Sequence, residues 1–174
     1  MDLEERVAEL ERRLAALESA GTAEGTPKAP SAPQLGDGRF WALEGLKEQL
    51  AEAEAPDGGV LFTGAVRLPT QEHYEWQYGA LTEGLLEADW AETAESFTAL
   101  GHEVRLRLLR EILGGRRTAA ELTELEGLGT TGQIYHHLRL LTGAGWLHTP
   151  SRGRYEVPGT RVVPLLVVLT AARP

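Results

Sequence analysis

No cysteine occurs in these 174 residues, and that one absence removes disulfide frameworks, thiolate metal sites and cysteine nucleophiles together. The redox compartment is left unmarked. The N-terminus, MDLEERVAEL, is charged from its second residue and carries no signal peptide. The longest apolar run, between Val162 and Ala172, is far shorter than the ~20 residues of a membrane helix. No membrane partner is expected, and the reading is a cytoplasmic protein. What is present, 42% hydrophobic and 25% charged residues, is the composition of a globular chain long enough for one ordinary domain or two small ones.

Lysine and aspartate are also missing from residues 98–174, where ten arginines face six glutamates for a net +4. Residues 1–97 carry −13, so the overall −9 averages two unlike segments. Such asymmetry suits a C-terminal segment that faces a polyanion while the rest stays off it, although a bare preference for arginine over lysine gives the same count.

Leu3, Val7, Leu10, Leu14 and Leu17 are spaced 4, 3, 4 and 3 apart, the alternation of a heptad seam with Val7 and Leu14 at a and the other leucines at d. Arg6 and Arg13 then fall at g and Glu11 and Glu18 at the following e, which suits a parallel pair. The alternative is one amphipathic helix packed on its own domain. A ~20-residue coil is marginal alone in water, so residues 1–20 are expected to assist a dimer made elsewhere too. Residues 21–38, GTAEGTPKAPSAPQLGDG, have linker composition.

Residues 39–80 read as a small unit. Phe40, Trp41, Leu43, Leu46 and Leu50 suit a helix, and Pro56-Asp57-Gly58-Gly59 stops it. Val60 to Leu68 and Glu72 to Tyr78 then form a hairpin around Pro69-Thr70, with Tyr74, Trp76 and Tyr78 on one face. That stripe is either core against the preceding helix or the lining of a ligand or partner site that includes Trp41. His73 beside Glu72 and Glu75 is weak evidence for a metal or acid-base site.

A helix is expected through roughly Leu81 to Leu100. Val104, Leu108, Leu109, Ile112 and Leu113 then make an apolar stripe, with Arg105, Arg107 and Arg110 projecting away from its centre. Thr118-Ala119-Ala120-Glu121 is a capping box for a short helix, Gly127-Leu128-Gly129 a turn, and Thr130 to Gln133 a second box. Short helix, glycine turn, second helix is the helix-turn-helix arrangement.

The two adjacent histidines of GTTGQIYHHL could be metal ligands, an acid-base pair or one helix face. With Ile134, Leu138 and Leu141 turned inward, Gly132, His136 and Arg139 lie opposite, Gln133 and Tyr135 flank them, and His137 sits nearer the buried side. Neighbours on a helix diverge by 100°, so these histidines cannot easily share a metal. A glycine in the first turn of an exposed face costs ~1 kcal/mol, which suits close approach by another backbone. Trp146 to Thr149 and Arg154 to Val157 then read as a hairpin with Arg152 at its tip. Beside a helix-turn-helix, that hairpin is a wing.

Residues from about Ala99 to Val157 resemble the winged-helix domain of the ArsR-type bacterial transcriptional repressors, through ALGHEVRLRLLREIL, RRTAAELTEL, TTGQIYHHLRLLTGAGWL and GRYEV. The resemblance implies a homodimer whose helix from Thr130 enters the major groove, with terminal helices in the dimer core. Glu103 departs from it, standing where such proteins often carry proline, and the cysteine pairs of the metal-sensing branch are absent. It says nothing about the coil and the aromatic hairpin.

The expected fold is mainly α with small β-hairpins: a winged helix-turn-helix over residues 81–174, preceded by the helix and hairpin of 39–80 and the coiled-coil helix. The expected partner is double-stranded DNA. Gln133, His136, Arg139 and Tyr135 are candidates for base edges, and Thr130, Thr131, Arg116, Arg117, Arg152 and Arg154 for the phosphate backbone. Dimerisation is assigned to the heptad residues with Leu165, Leu166 and Leu169 of the last segment. A small-molecule or protein effector at Trp41, Tyr74, Trp76 and Tyr78 is a candidate, and no cofactor is expected. The alternative is a winged helix that binds another protein. An enzyme is disfavoured, since no nucleophile-base-orienter trio, phosphate loop or acid pair stands out.

Overall fold

The computed structural model describes Val7, Arg12, Arg13 and residues 40–173. The chain divides into two units, Met1–Trp41 and Ala42–Pro174. In the first, Val7, Arg12 and Arg13 are helical. Leu3, Leu10, Leu14 and Leu17 lie outside the described residues, and so do the linker and the heptad pairing.

The first described element is α1 (Trp41–Glu52), followed by the antiparallel strands β1 (Gly59–Arg67) and β2 (His73–Leu81), with Gly59 opposite Leu81 and Arg67 opposite His73. Then come α2 (Thr82–Glu87), α3 (Ala91–Leu100), α4 (Glu103–Leu113), α5 (Ala119–Thr123) and α6 (Thr131–Gly143). A second hairpin, β3 (His148–Ser151) and β4 (Arg154–Glu156), precedes α7 (Gly159–Ala171). The described chain is mainly helical with two small antiparallel hairpins.

The single helix expected through Leu81 to Leu100 is broken in two. Ala88 is extended, the Asp89 carboxylate accepts from the Ala91 amide at 2.9 Å, and the Trp90 indole donates back to the Leu85 carbonyl at 2.8 Å. The Asp89 carboxylate, one residue ahead of the Trp90 cap position, thus satisfies the first amide of α3, and such a local acceptor competes with helix continuation.

One core joins α4, α5, α6 and α7: Leu108, Leu122, Ile134, Leu138, Leu141 and Leu165 are all fully buried. Each such side chain stabilises the fold by about 1.5–3 kcal/mol. Trp146 locks the segment after α6 into this core, its indole donating to the Ser96 carbonyl at 3.1 Å while the Arg161 guanidinium lies 5.0 Å from its ring centre.

The first hairpin, expected within a unit over residues 39–80, contributes to that core. Leu68 is buried in it, and Val66 and Tyr74 pack against it. Of the aromatic stripe of β2, Tyr74 turns toward α7. A Cβ on Gly64 would stand 2.6 Å from a Val163 methyl, and one on Gly159 would stand 3.2 Å from the Tyr74 ring. Only Tyr74 is half-buried there; Trp76 and Tyr78 are exposed, with the Tyr78 and Phe62 rings 5.9 Å apart.

Candidate nucleic-acid interface

Two reciprocal caps start α5 and α6, the pair read from sequence as a helix-turn-helix. Thr118 and Glu121 close the box that starts α5. At α6 the Thr130 hydroxyl accepts from the Gln133 amide at 3.4 Å, and the Gln133 side-chain oxygen accepts from the Thr130 amide at 2.8 Å. Between them Gly129 adopts a φ of +97°, and a Cβ there would meet the Gln133 side chain at 2.5 Å. The turn therefore requires glycine twice over, for its backbone and for the cap beside it.

The wheel drawn from the sequence describes α6 well. Ile134, Leu138 and Leu141 are buried, while Thr131, Gly132, Gln133, Tyr135, His136 and Arg139 are exposed. Nothing within 4 Å would meet a Cβ on Gly132, so no internal packing accounts for a glycine there. The two histidines part company. His136 is exposed, whereas His137 is half-buried, its ring 4.7 Å from that of His102. Burial first, then the nearby charges of His102, Arg105 and His136, push the His137 pKa below the usual imidazole range. The His102 Nδ1 is itself engaged, accepting from the Val104 amide at 3.1 Å as the cap of α4. Among the described residues no group of three or more histidines and carboxylates is arranged to hold a metal.

The β3–β4 hairpin, expected as a wing, follows α6 in sequence and is tied to the front of α5. The Ala119 amide donates to the Gly153 carbonyl at 2.8 Å, and the Tyr155 amide to the Arg117 carbonyl at 2.7 Å. Arg152 is exposed at the tip, next to Gly153 at a φ of +74°. Arg154 is half-exposed and pairs with Glu156, its Nε 2.9 Å from the carboxylate. Arg116 is exposed, 3.6 Å from Glu111.

Arg117 is a correction to the phosphate set. Its side chain is 12% exposed and committed to a short bidentate pair with Glu72 in the hairpin turn, with Glu156 of the wing at 3.4 Å. The Arg117 hydrogen bonds first, and that from Thr70 second, hold the Glu72 carboxyl below its usual range, and Arg117 is raised in turn. Arg105, expected to project outward, is a second correction. It is 8% exposed and donates to the Thr98 carbonyl at 2.8 Å, because α3 crosses over that side of α4.

Leu165 of the dimerisation set lies fully inside the chain's own core, so it offers no surface to a second copy; Leu166 and Leu169 are half-buried against the same core. The sequence reading missed a different apolar ridge. Leu85 and Leu86 of α2, Trp90 in the break before α3 and Phe97 of α3 are exposed, and Leu85, Trp90 and Phe97 line a cleft of about 460 Å³. The large apolar residues of this segment were the available signal, masked by its many glutamates. Of the candidate effector residues, Trp41 belongs to the first unit and Tyr74, Trp76 and Tyr78 to the second.

No protein-family model matches the chain. It is 37% identical over 79 residues to a probable mercury resistance operon repressor of Streptomyces lividans, a stretch that is 44% of this chain and 62% of that protein. The chain thus spans about three fifths of the length of that curated relative. By this distant, partial homology the chain is related to a bacterial operon repressor, in keeping with the resemblance to the ArsR-type regulators over about Ala99 to Val157.

Proposed function

We propose that this protein is a dimeric, sequence-specific DNA-binding transcriptional repressor. The observation that carries the reading is the solvent-facing side of α6, where Gly132, Tyr135, His136 and Arg139 are exposed and without an internal packing role for the glycine. The +4 balance of residues 98–174 and the relative's description as an operon repressor support it.

In this reading Thr130, Thr131, Arg116, Arg152 and Arg154 neutralise phosphates and fix the register. His136, Arg139, Tyr135 and Gln133 face base edges, with arginine suited to guanine. Gln133 spends its side-chain oxygen on the cap, so it reads as a donor through its amide nitrogen rather than as the two-pronged partner of adenine. Two-fold symmetry places the half-sites of an inverted repeat about one helical turn apart. The dimer draws on the α2–α3 ridge and the half-buried Leu166 and Leu169, with the heptad of residues 1–20 as a further contact. The relative is named for mercury resistance, but thiolate capture of a soft metal is closed to these 174 residues, which hold no cysteine.

The test is a mobility-shift series on selected and random DNA. Arg139→Ala should lose preference for the selected sequence by about 1–3 kcal/mol, whereas Arg152→Ala should weaken both and reduce the salt slope by about 1. Equal losses on both DNAs for both variants would contradict the assigned roles. A protein that washes through heparin at low salt would favour the protein-binding alternative.

A further inference from the structure

A cleft of about 260 Å³ lies where α3 and α6 meet over the start of α4. Glu95, Thr98 and Ala99 line it from α3, Arg105 from α4, and Arg139, Leu140, Gly143 and Ala144 from α6. Its volume lies just below the usual range of about 300–1,000 Å³ for ligand pockets, which restricts it to a small molecule. Arg105 is nine-tenths buried with one nitrogen on the Thr98 carbonyl, and its Nε has no hydrogen-bond partner. A guanidinium donor sequestered without an acceptor is costly, and such groups are normally satisfied by water, an ion or a ligand. Neither Glu95 nor Arg139 has an ion-pair partner among the described residues. The walls therefore gather two cationic groups, one carboxylate and a small apolar floor.

We propose that this cleft binds a small amino or hydroxy acid, whose carboxylate lies against Arg105 and Arg139 and whose ammonium or hydroxyl donates to Glu95. A simple dianion fits less well, because the Glu95 carboxylate repels a second negative charge. A neutral apolar molecule would leave the Arg105 donor as it stands. The site also suggests regulation, a step that rests on the DNA-binding reading. A ligand that engages Arg139 removes a base-reading side chain from the exposed face of α6, so occupancy lowers DNA affinity by the difference in ligand affinity between the two states.

The experiment is calorimetric titration of the full chain, without DNA, with the twenty amino acids, lactate, acetate and succinate as probes. One amino acid or lactate should bind at one site per chain, more tightly than acetate or succinate. Glu95→Gln and Arg139→Gln should each weaken it about tenfold or more, as loss of a charged hydrogen bond does. Circular dichroism of both exposed-site variants should show an intact fold. No binding by any probe, or binding indifferent to both substitutions, overturns the site. Acetate or succinate binding as tightly as the best amino or hydroxy acid overturns the role of Glu95. Anisotropy on labelled DNA with and without the bound probe then reads the coupling. Ligand binding with unchanged DNA affinity overturns the coupling alone, and ligand binding by a protein that holds no DNA overturns the repressor reading while the site stands.

Discussion

In the proposed interface Gly132 is a residue at which folding and function separate. It sits in the first turn of an exposed helix face, and a Cβ there would enter open space. Gly132→Ala should leave the fold intact or raise its stability by up to about 1 kcal/mol, because alanine is the better helix former. The same change should weaken DNA binding, since the added methyl stands where a phosphodiester backbone is proposed to approach. Thermal melts and anisotropy on one preparation check both halves. A stabilised variant with unaltered affinity would remove the reason given for the glycine. Arg117 is the opposite case, a cation whose work is internal. Arg117→Met should cost about 1–3 kcal/mol in denaturant unfolding and leave the salt slope of DNA binding unchanged. The acid limb follows from its partners. Glu72 and Glu156 titrate below their ordinary value near 4.5 when folded. Their contribution is therefore present above that value and lost as pH falls through the lowered folded values. His137 adds a window at higher pH. Its folded pKa lies below the ordinary 6.5, so the unfolded chain binds the proton first and stability declines as pH drops below about 6.5 toward the folded value. Thermal melts across pH should show that decline weakened in His137→Gln.

At the scale of elements, the contact between the first hairpin and the last helix is the joint that sequence could not announce. Gly64 of β1 meets Val163 of α7 across nearly a hundred residues, and neither is marked by a local pattern. Gly64→Ala should destabilise by about 1–3 kcal/mol through overpacking, and adding Val163→Ala should recover part of that loss. Denaturant midpoints of the two single variants and the double read the coupling, and strictly additive losses would argue that hairpin and helix do not press on each other. What was legible was local. The caps at Thr118 and Thr130, the glycine turn and the Ile134, Leu138, Leu141 ridge follow from spacing and side-chain chemistry within a few residues. The split of the Leu81 to Leu100 helix at Asp89 was less visible, since an aspartate on an exposed helix face and one that accepts from the first amide of a new helix look alike until the partner amide is known. Arg105 and Arg117 were misjudged for the same reason. Arginine reads as surface in a sequence, and only α3 and the hairpin turn, arriving from elsewhere, turn these two inward.

At the scale of the whole molecule, charge and apolar surface divide the labour. Residues 1–97 carry −13 and residues 98–174 carry +4, with Arg116, Arg139, Arg152 and Arg154 at the surface; in the proposed repressor the acidic part stays off the DNA. Leu85, Leu86, Trp90 and Phe97 form an apolar ridge that a lone chain leaves in water, and a second copy is the occupant the repressor reading requires. Trp90→Ser with Phe97→Ser should shift sedimentation toward monomer and weaken binding to a two-half-site DNA far more than to a single half-site. The measurement that bears most directly on the central claim is selection of bound fragments from a random-sequence DNA pool by the full chain. The account predicts enrichment of an inverted repeat with half-sites about one helical turn apart, lost in Arg139→Ala and retained at lower affinity in Arg152→Ala. A pool that emerges without enrichment, or with the same enrichment when Arg139 is replaced, would contradict it.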